Sequence, residues 1–150
     1  MPLPKKLLLL LLPVVALAAP STTQVSADRP IINFRLPTFT ADGYRSWLVR
    51  GSEARITGQN QIDIVGLTLT LFTGTADDKI DTMILSPAAR VQPEEALVTG
   101  PDTIRVINDE FEASGSDWRF THDKGSKENR ISIKQNVHVT FRAELTDFLK

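Results

Sequence analysis

Cysteine is absent from all 150 residues. That excludes disulfide frameworks, thiolate zinc sites, iron–sulfur clusters, thiol nucleophiles and acylation on Cys. Histidine is nearly absent, with His122 and His138 alone, too few for an all-His metal site within one chain. Neither sign of charge dominates: 17 Lys and Arg stand against 18 Asp and Glu, so there is no electrostatic case for nucleic acid. A Gly-x-Ser-x-Gly elbow, a phosphate-binding glycine loop, Gly-x-Gly-x-x-Gly and His-Glu-x-x-His are all missing. No catalytic residue, metal or cofactor is therefore expected, and an enzyme is the least favoured class. Proline is sparse beyond the N-terminal stretch, because five of the nine prolines lie at positions 2, 4, 13, 20 and 30.

What is present begins with an address. Lys5 and Lys6 precede Leu7–Leu12, Pro13 and the run Val14 to Ala19. A charged start, a short apolar run and the small-x-small pattern Ala16-Leu17-Ala18 read as a secretory signal over residues 1–19. An uncleaved short membrane anchor is the competing reading, although a spanning helix wants about 20 apolar residues. Cleavage would leave 15 basic against 18 acidic residues, a net charge of −3. Residues 20–33 read as a flexible, polar leader flanked by Pro20 and Pro30. Residues 34–150 are long enough for one domain with a hydrophobic core.

From Ile31 onward the pattern is strand. Two-residue alternation recurs, and Val, Ile and Thr dominate it. Ile62-Asp63-Ile64 is followed by Leu67-Thr68-Leu69-Thr70-Leu71, so apolar parity flips across Val65-Gly66. A strand keeps one face on one parity, and a flip beside glycine marks a bulge or kink. Further strands are predicted at Arg45–Val49, Ala54–Thr57, Asp81–Leu85, Ala89–Val91, Thr103–Ile107, Glu110–Ala113, Asp117–Thr121, Arg130–Lys134 and Val137–Arg142. Glycines at 43, 51, 58, 66 and 74 look like evenly spaced turns, which predicts an all-β, antiparallel sandwich or roll of short strands. The only helical candidate is a terminal turn in Arg142–Lys150, carried by Leu145, Phe148 and Leu149. Ser52-x-Ala54-Arg55-Ile56 has a weak echo in Ser86-x-x-Ala89-Arg90-Val91, and Gly43-x-x-x-Trp47 a looser one in Gly115-x-x-Trp118.

Few polar residues suggest chemistry. Asp77, Asp78 and Asp81 cluster beside Gly74, but calcium needs more oxygen ligands at defined spacing, and a solvated turn accounts for them. His122 precedes the turn at Lys124–Asn129 and could pair with Asp123, with no nucleophile near it in sequence. His138 opposes the parity of Val137, Val139 and Phe141, so it is expected to face away from the core. Glu94-Glu95 and Glu110 are paired acids only in sequence, and nothing in them favours a glycosidase.

One inner surface is assigned to Ile56, Ile62, Ile64, Leu67, Leu69, Leu71, Ile104, Val106, Phe111, Phe120, Ile131, Ile133, Val137, Val139 and Phe141. It is either an ordinary packed core or a trough open to an acyl chain, which gains about 0.8 kcal/mol for each buried methylene. Periodicity alone does not separate the two.

The segment Phe34–Ala54, with Asp42-Gly43-Tyr44 and Trp47-Leu48-Val49, resembles the opening strands of the LptC family, periplasmic proteins of lipopolysaccharide export. Ile62–Phe72 is similar to that family's next strand. The closing segment, Gly115-Ser116-Asp117-Trp118-Arg119-Phe120 followed by Ile131-Ser132-Ile133 and Asn136-Val137-His138-Val139-Thr140-Phe141, resembles its ending G-x-x-W-x-W/F … I-x-I-x-x-N-V-x-V-x-F. The resemblance implies an antiparallel β-jellyroll shaped as a trough. It further implies that lipopolysaccharide acyl chains pass along that trough from an inner-membrane ABC transporter to a periplasmic bridge of LptA-like modules. Such modules join edge to edge through unpaired backbone groups. Val137, His138, Val139, Thr140, Phe141 and Arg142 are then the candidate C-terminal edge, and Arg45–Val49 the N-terminal one. Family members generally keep an N-terminal membrane helix, whereas this leader reads as cleavable. The expected location is the periplasm, with or without an inner-membrane anchor. The alternative is an envelope interaction module that pairs through its sheet edges and carries no lipid.

Overall fold

The computed structural model describes residues 29–142. The signal segment, most of the leader and the predicted terminal helical turn lie outside the described residues. Seven strands follow one another: β1 (Ile31–Phe39), β2 (Arg45–Gly58), β3 (Gln61–Phe72), β4 (Ile80–Gln92), β5 (Leu97–Ile107), β6 (Phe111–His122) and β7 (Asn129–Phe141). Each pairs antiparallel with the next, in the order β1-β2-β3-β4-β5-β6-β7. The fold is all-β, as the alternation predicts, and the strands form a single open sheet rather than two separate ones.

The strands are about twice as long as predicted. Arg45–Val49 and Ala54–Thr57 are one strand, β2; Asp81–Leu85 and Ala89–Val91 are one strand, β4. The same holds for Glu110–Ala113 with Asp117–Thr121 in β6, and for Arg130–Lys134 with Val137–Arg142 in β7. β5 reaches back from Thr103 to Leu97, and β1 begins at Ile31, inside the predicted leader. β1 is the N-terminal edge strand. The predicted edge segment, Arg45–Val49, lies between β1 and β3 instead.

The gaps between the predicted half-strands form one feature. Asn33 lies between the pairs Ile32↔Glu53 and Phe34↔Gly51, which sets it beside Ser52. The Ser52 hydroxyl bonds the Val65 carbonyl at 3.0 Å, next to Gly66. Val65↔Ala88 and Leu67↔Ser86 bracket Gly66 and Pro87. The register then shifts between Leu85 and Arg90 against β5, between Gly100 and Thr103 against β6, and between Ser114 and Ser116 against β7. Asn33, Gly66, Asp117 and Asn136 on this line all have positive φ, from 51° to 63°. A bulge inserts a residue, bends its strand and changes which parity faces inward. Aligned from β1 to β7, these irregularities crease the whole sheet.

Inward parity changes across the crease. In β2 it passes from Trp47 and Val49 to Ala54, in β3 from Leu67 and Leu69 to Ile64, and in β6 from Ala113 to Trp118 and Phe120, all buried. The crease folds the sheet onto its own inner face. Trp47 of β2 and Phe120 of β6 lie on opposite sides of it, with ring centroids 6.4 Å apart. Four strand spacings would hold them about 19 Å apart on a flat sheet. Glycines admit neighbours at the inside of the bend: a Cβ on Gly51 would meet Ile64 Cγ2 at 2.5 Å, and one on Gly100 would meet Trp118 Nε1 at 2.6 Å. The sheet does not close, since no Cα of β1 comes within 8 Å of β7.

Candidate functional site

The fold divides the predicted inner surface into three groups. Ile64, Leu67, Leu69, Leu71, Ile104, Val106 and Phe120 are buried in the core. Ile62, Phe111, Ile131 and Ile133 are half-buried and pack against it. Ile56, Val137, Val139 and Phe141 are exposed. The centre of the folded sheet is thus filled by its own side chains, and the apolar face emerges into solvent at the β7 end.

That end is built by register. Val139 pairs with Ala113 and Phe141 with Phe111, both on the inner face of β6. Their side chains therefore continue the core, but among the described residues no strand follows β7 to cover them. Val137 is 53%, Val139 43% and Phe141 72% exposed. Phe141 touches the Phe111 ring edge-on, at 6.4 Å between centroids. Among the described residues β7 pairs with β6 alone, so one row of its backbone N–H and C=O groups faces outward beside this apolar strip. His138 is opposite Ser114 and points to the other face, as its parity predicts; its Nε2 lies 3.4 Å from the Thr140 hydroxyl. Arg142 closes the strand, its N–H bonding the Glu110 carbonyl at 2.8 Å.

Several inner residues escape the sequence reading. Trp47, Val49, Ile84, Val91, Val98 and Trp118 are all buried. Val98 lies before the predicted strand Thr103–Ile107, in the part of β5 that the reading left out, and alternation about Ile84 was available as a signal. The indole N–H groups of Trp47 and Trp118 are buried without an acceptor among the described residues. An unpaired buried donor costs about 1–3 kcal/mol.

The other polar candidates have structural partners. Asp78 pairs with Arg45, whose guanidinium also lies 4.2 Å from the Phe72 ring centroid. Asp77 accepts from Thr75 and Thr73, and these hydroxyls hold its carboxyl below the usual carboxylate range. Asp81 accepts from Thr82 at 2.9 Å. His122 pairs with Asn129 at 2.8 Å rather than with Asp123, and Glu95 with Asn60. Among the described residues no three His, Cys, Asp or Glu side chains group as a metal site.

On the outer face, a cleft of about 410 Å³ crosses β2 to β5 at the crease, between Arg55, Asp63, Arg90 and Pro101. Arg55↔Asp63 and Asp63↔Arg90 are register neighbours, so the echo between Ser52–Ile56 and Ser86–Val91 marks equivalent crossings of the crease. Arg90 grips Asp63 through Nε at 2.7 Å and Nη2 at 3.1 Å. Those bonds lower the Asp63 pKa. A depressed folded-state pKa gives stability that is present above the unfolded value and lost as pH falls through the folded one. Asp63→Asn is therefore expected to have a lower Tm than the parent at pH 7, with the gap closing below about pH 4. Thermal melts across that range check it.

The chain matches no protein-family model, and no curated protein matches it. The likeness to the LptC family rests on the residues quoted above.

Proposed function

We propose that the chain is a periplasmic component of lipopolysaccharide transport. It holds acyl chains against the apolar inner face and passes them from an inner-membrane ABC transporter to a bridge of LptA-like modules. The observation that carries this reading is the exposed strip Val137, Val139 and Phe141, set at the end of the folded sheet beside a strand edge left unpaired among the described residues. A partner strand added to β7 would continue both the hydrogen-bond ladder and the apolar face.

Photocrosslinkers placed at Val139 and at Leu69 test the proposal. Crosslinks to lipopolysaccharide from Val139 are expected, and crosslinks to protein alone would refute lipid carriage. Phe141→Asp is expected to abolish the lipid crosslink from Val139. Its stability cost should stay below about 1.5 kcal/mol, since Phe141 gives up one edge-on aromatic contact. Thermal melts read alongside the crosslinking separate lost binding from lost folding.

A second reading has its own support. Leu69 and Phe120 are both fully enclosed by the protein, which suits a module whose filled interior carries nothing and whose β7 edge binds a partner. Failure of Leu69 to crosslink lipid, together with Val139 crosslinks confined to protein, is the result this reading expects.

A further inference from the structure

Arg35 and Arg50 set two like charges side by side on the outer face. They are direct register partners on β1 and β2. Each alternates with inward-facing neighbours, Phe34 and Leu36 for Arg35, Val49 and Gly51 for Arg50, so both side chains point outward and both residues are exposed. Directly opposed residues in an antiparallel pair have Cβ atoms about 5 Å apart, and like charges there are destabilising.

Several cations elsewhere on the sheet have acids. Asp63 stands between Arg55 and Arg90, Glu112 pairs with Arg105 and Arg142, and Asp117 pairs with Lys134. The six ion pairs of the described residues include neither Arg35 nor Arg50. The next residue along this register row is Thr68, half-buried and outward, opposite Arg50. Two arginines side by side with a hydroxyl at their flank form an array of donors without a carboxylate to receive them.

We propose that Arg35, Arg50 and Thr68 form an anion site on the outer face for a phosphate monoester. A phosphate dianion matches two guanidinium charges, and its oxygens accept from both forks in bidentate geometry. The site is on the surface opposite the apolar strip, so it stands or falls independently of lipid carriage. The phosphate can be free in solution or borne on a lipid headgroup.

The test uses the full chain. Inorganic phosphate is titrated while the arginine Nε–Hε signals are followed by NMR. Phosphatidylcholine vesicles with and without phosphatidic acid form a second arm. Saturable shifts at Arg35 and Arg50 are expected, with affinity about tenfold weaker in Arg35→Gln and in Arg50→Gln, as expected for a lost charge-assisted hydrogen bond. Arg119→Gln removes the same charge elsewhere on the outer face and should change nothing. Arg50→Gln should be no less stable than the parent in phosphate-free buffer, because it relieves repulsion.

Vesicle binding that depends on phosphatidic acid, falls in Arg50→Gln and is competed by phosphate assigns the anion to a lipid. The Leu-rich N-terminal segment is common to all variants, so it cancels from that comparison. Shifts with inorganic phosphate and no such vesicle binding assign it to a soluble phosphate. No saturable effect in either arm overturns the proposal, as does equal weakening by Arg119→Gln or a lowered Tm in Arg50→Gln.

Discussion

Phe120→Ala is expected to destabilise the domain by about 3–5 kcal/mol, the cost of removing a large aromatic ring from a closed core. Phe120 has no exposed surface. Its register partners are Val98 and Ile131, and its ring meets Trp47 from the far side of the crease. It therefore holds neighbouring strands together and also holds the two halves of the folded sheet against each other. A domain of this size loses several degrees of Tm for each kcal/mol, so the melting temperature should fall by about 10 °C or more. Phe141→Ala removes the same side chain from a position 72% exposed and should cost less than about 1.5 kcal/mol. Urea titrations of the two variants check the contrast; equal losses would mean that the β7 end is covered in solution.

Gly100→Ala should also be costly, by about 1–3 kcal/mol, although it adds a single methyl group. The new Cβ would lie 2.6 Å from Trp118 Nε1 and 2.9 Å from the Ala88 carbonyl oxygen. The tryptophan is locked in the core and the carbonyl belongs to the backbone, so neither yields without moving the crease. Gly58 provides the comparison. A Cβ there meets Gln61 Cβ at 3.5 Å, an ordinary contact, so Gly58→Ala should be neutral or stabilising by up to about 1 kcal/mol through a less flexible unfolded chain. Denaturation midpoints of the two variants test whether glycine at the inside of the bend is a steric requirement.

Much of this architecture was legible in the sequence. Alternation identified strand segments in β2 to β7, and the parity flip at Val65-Gly66 located a kink in β3, with Gly66 at φ 63° and the register to β2 and β4 unshifted across it. The other crossings were misread as strand ends for a physical reason. Gly, Asn and Asp tolerate positive φ, and both a turn and a bulge use it. Whether a chain reverses or merely bends at such a residue depends on which strand it pairs with afterwards, and local sequence does not carry that. Gly51 and Gly66 therefore looked like Gly43 and Gly74, yet the first pair lies in the crease and the second in hairpin connections.

The apolar site residues were legible as a face, but their division into filled and exposed groups was not. Leu69 and Val139 have the same alternation in sequence. Only the count of strands on either side makes one enclosed and the other bare. The opposed arginines were hidden for the same reason, since Arg35 and Arg50 are 15 positions apart in sequence and become neighbours through register alone.

The plain sequential order of the strands also governs how the chain acquires its shape. Every strand finds its partners immediately before and after itself, so each step of assembly closes only a short hairpin loop, which is entropically mild. A polypeptide emerging N-terminus first can lay down ribbon upon ribbon without waiting for its far end. Only the folding of the sheet at the crease, which brings Trp47 to Phe120, must wait until six of the seven ribbons are in place.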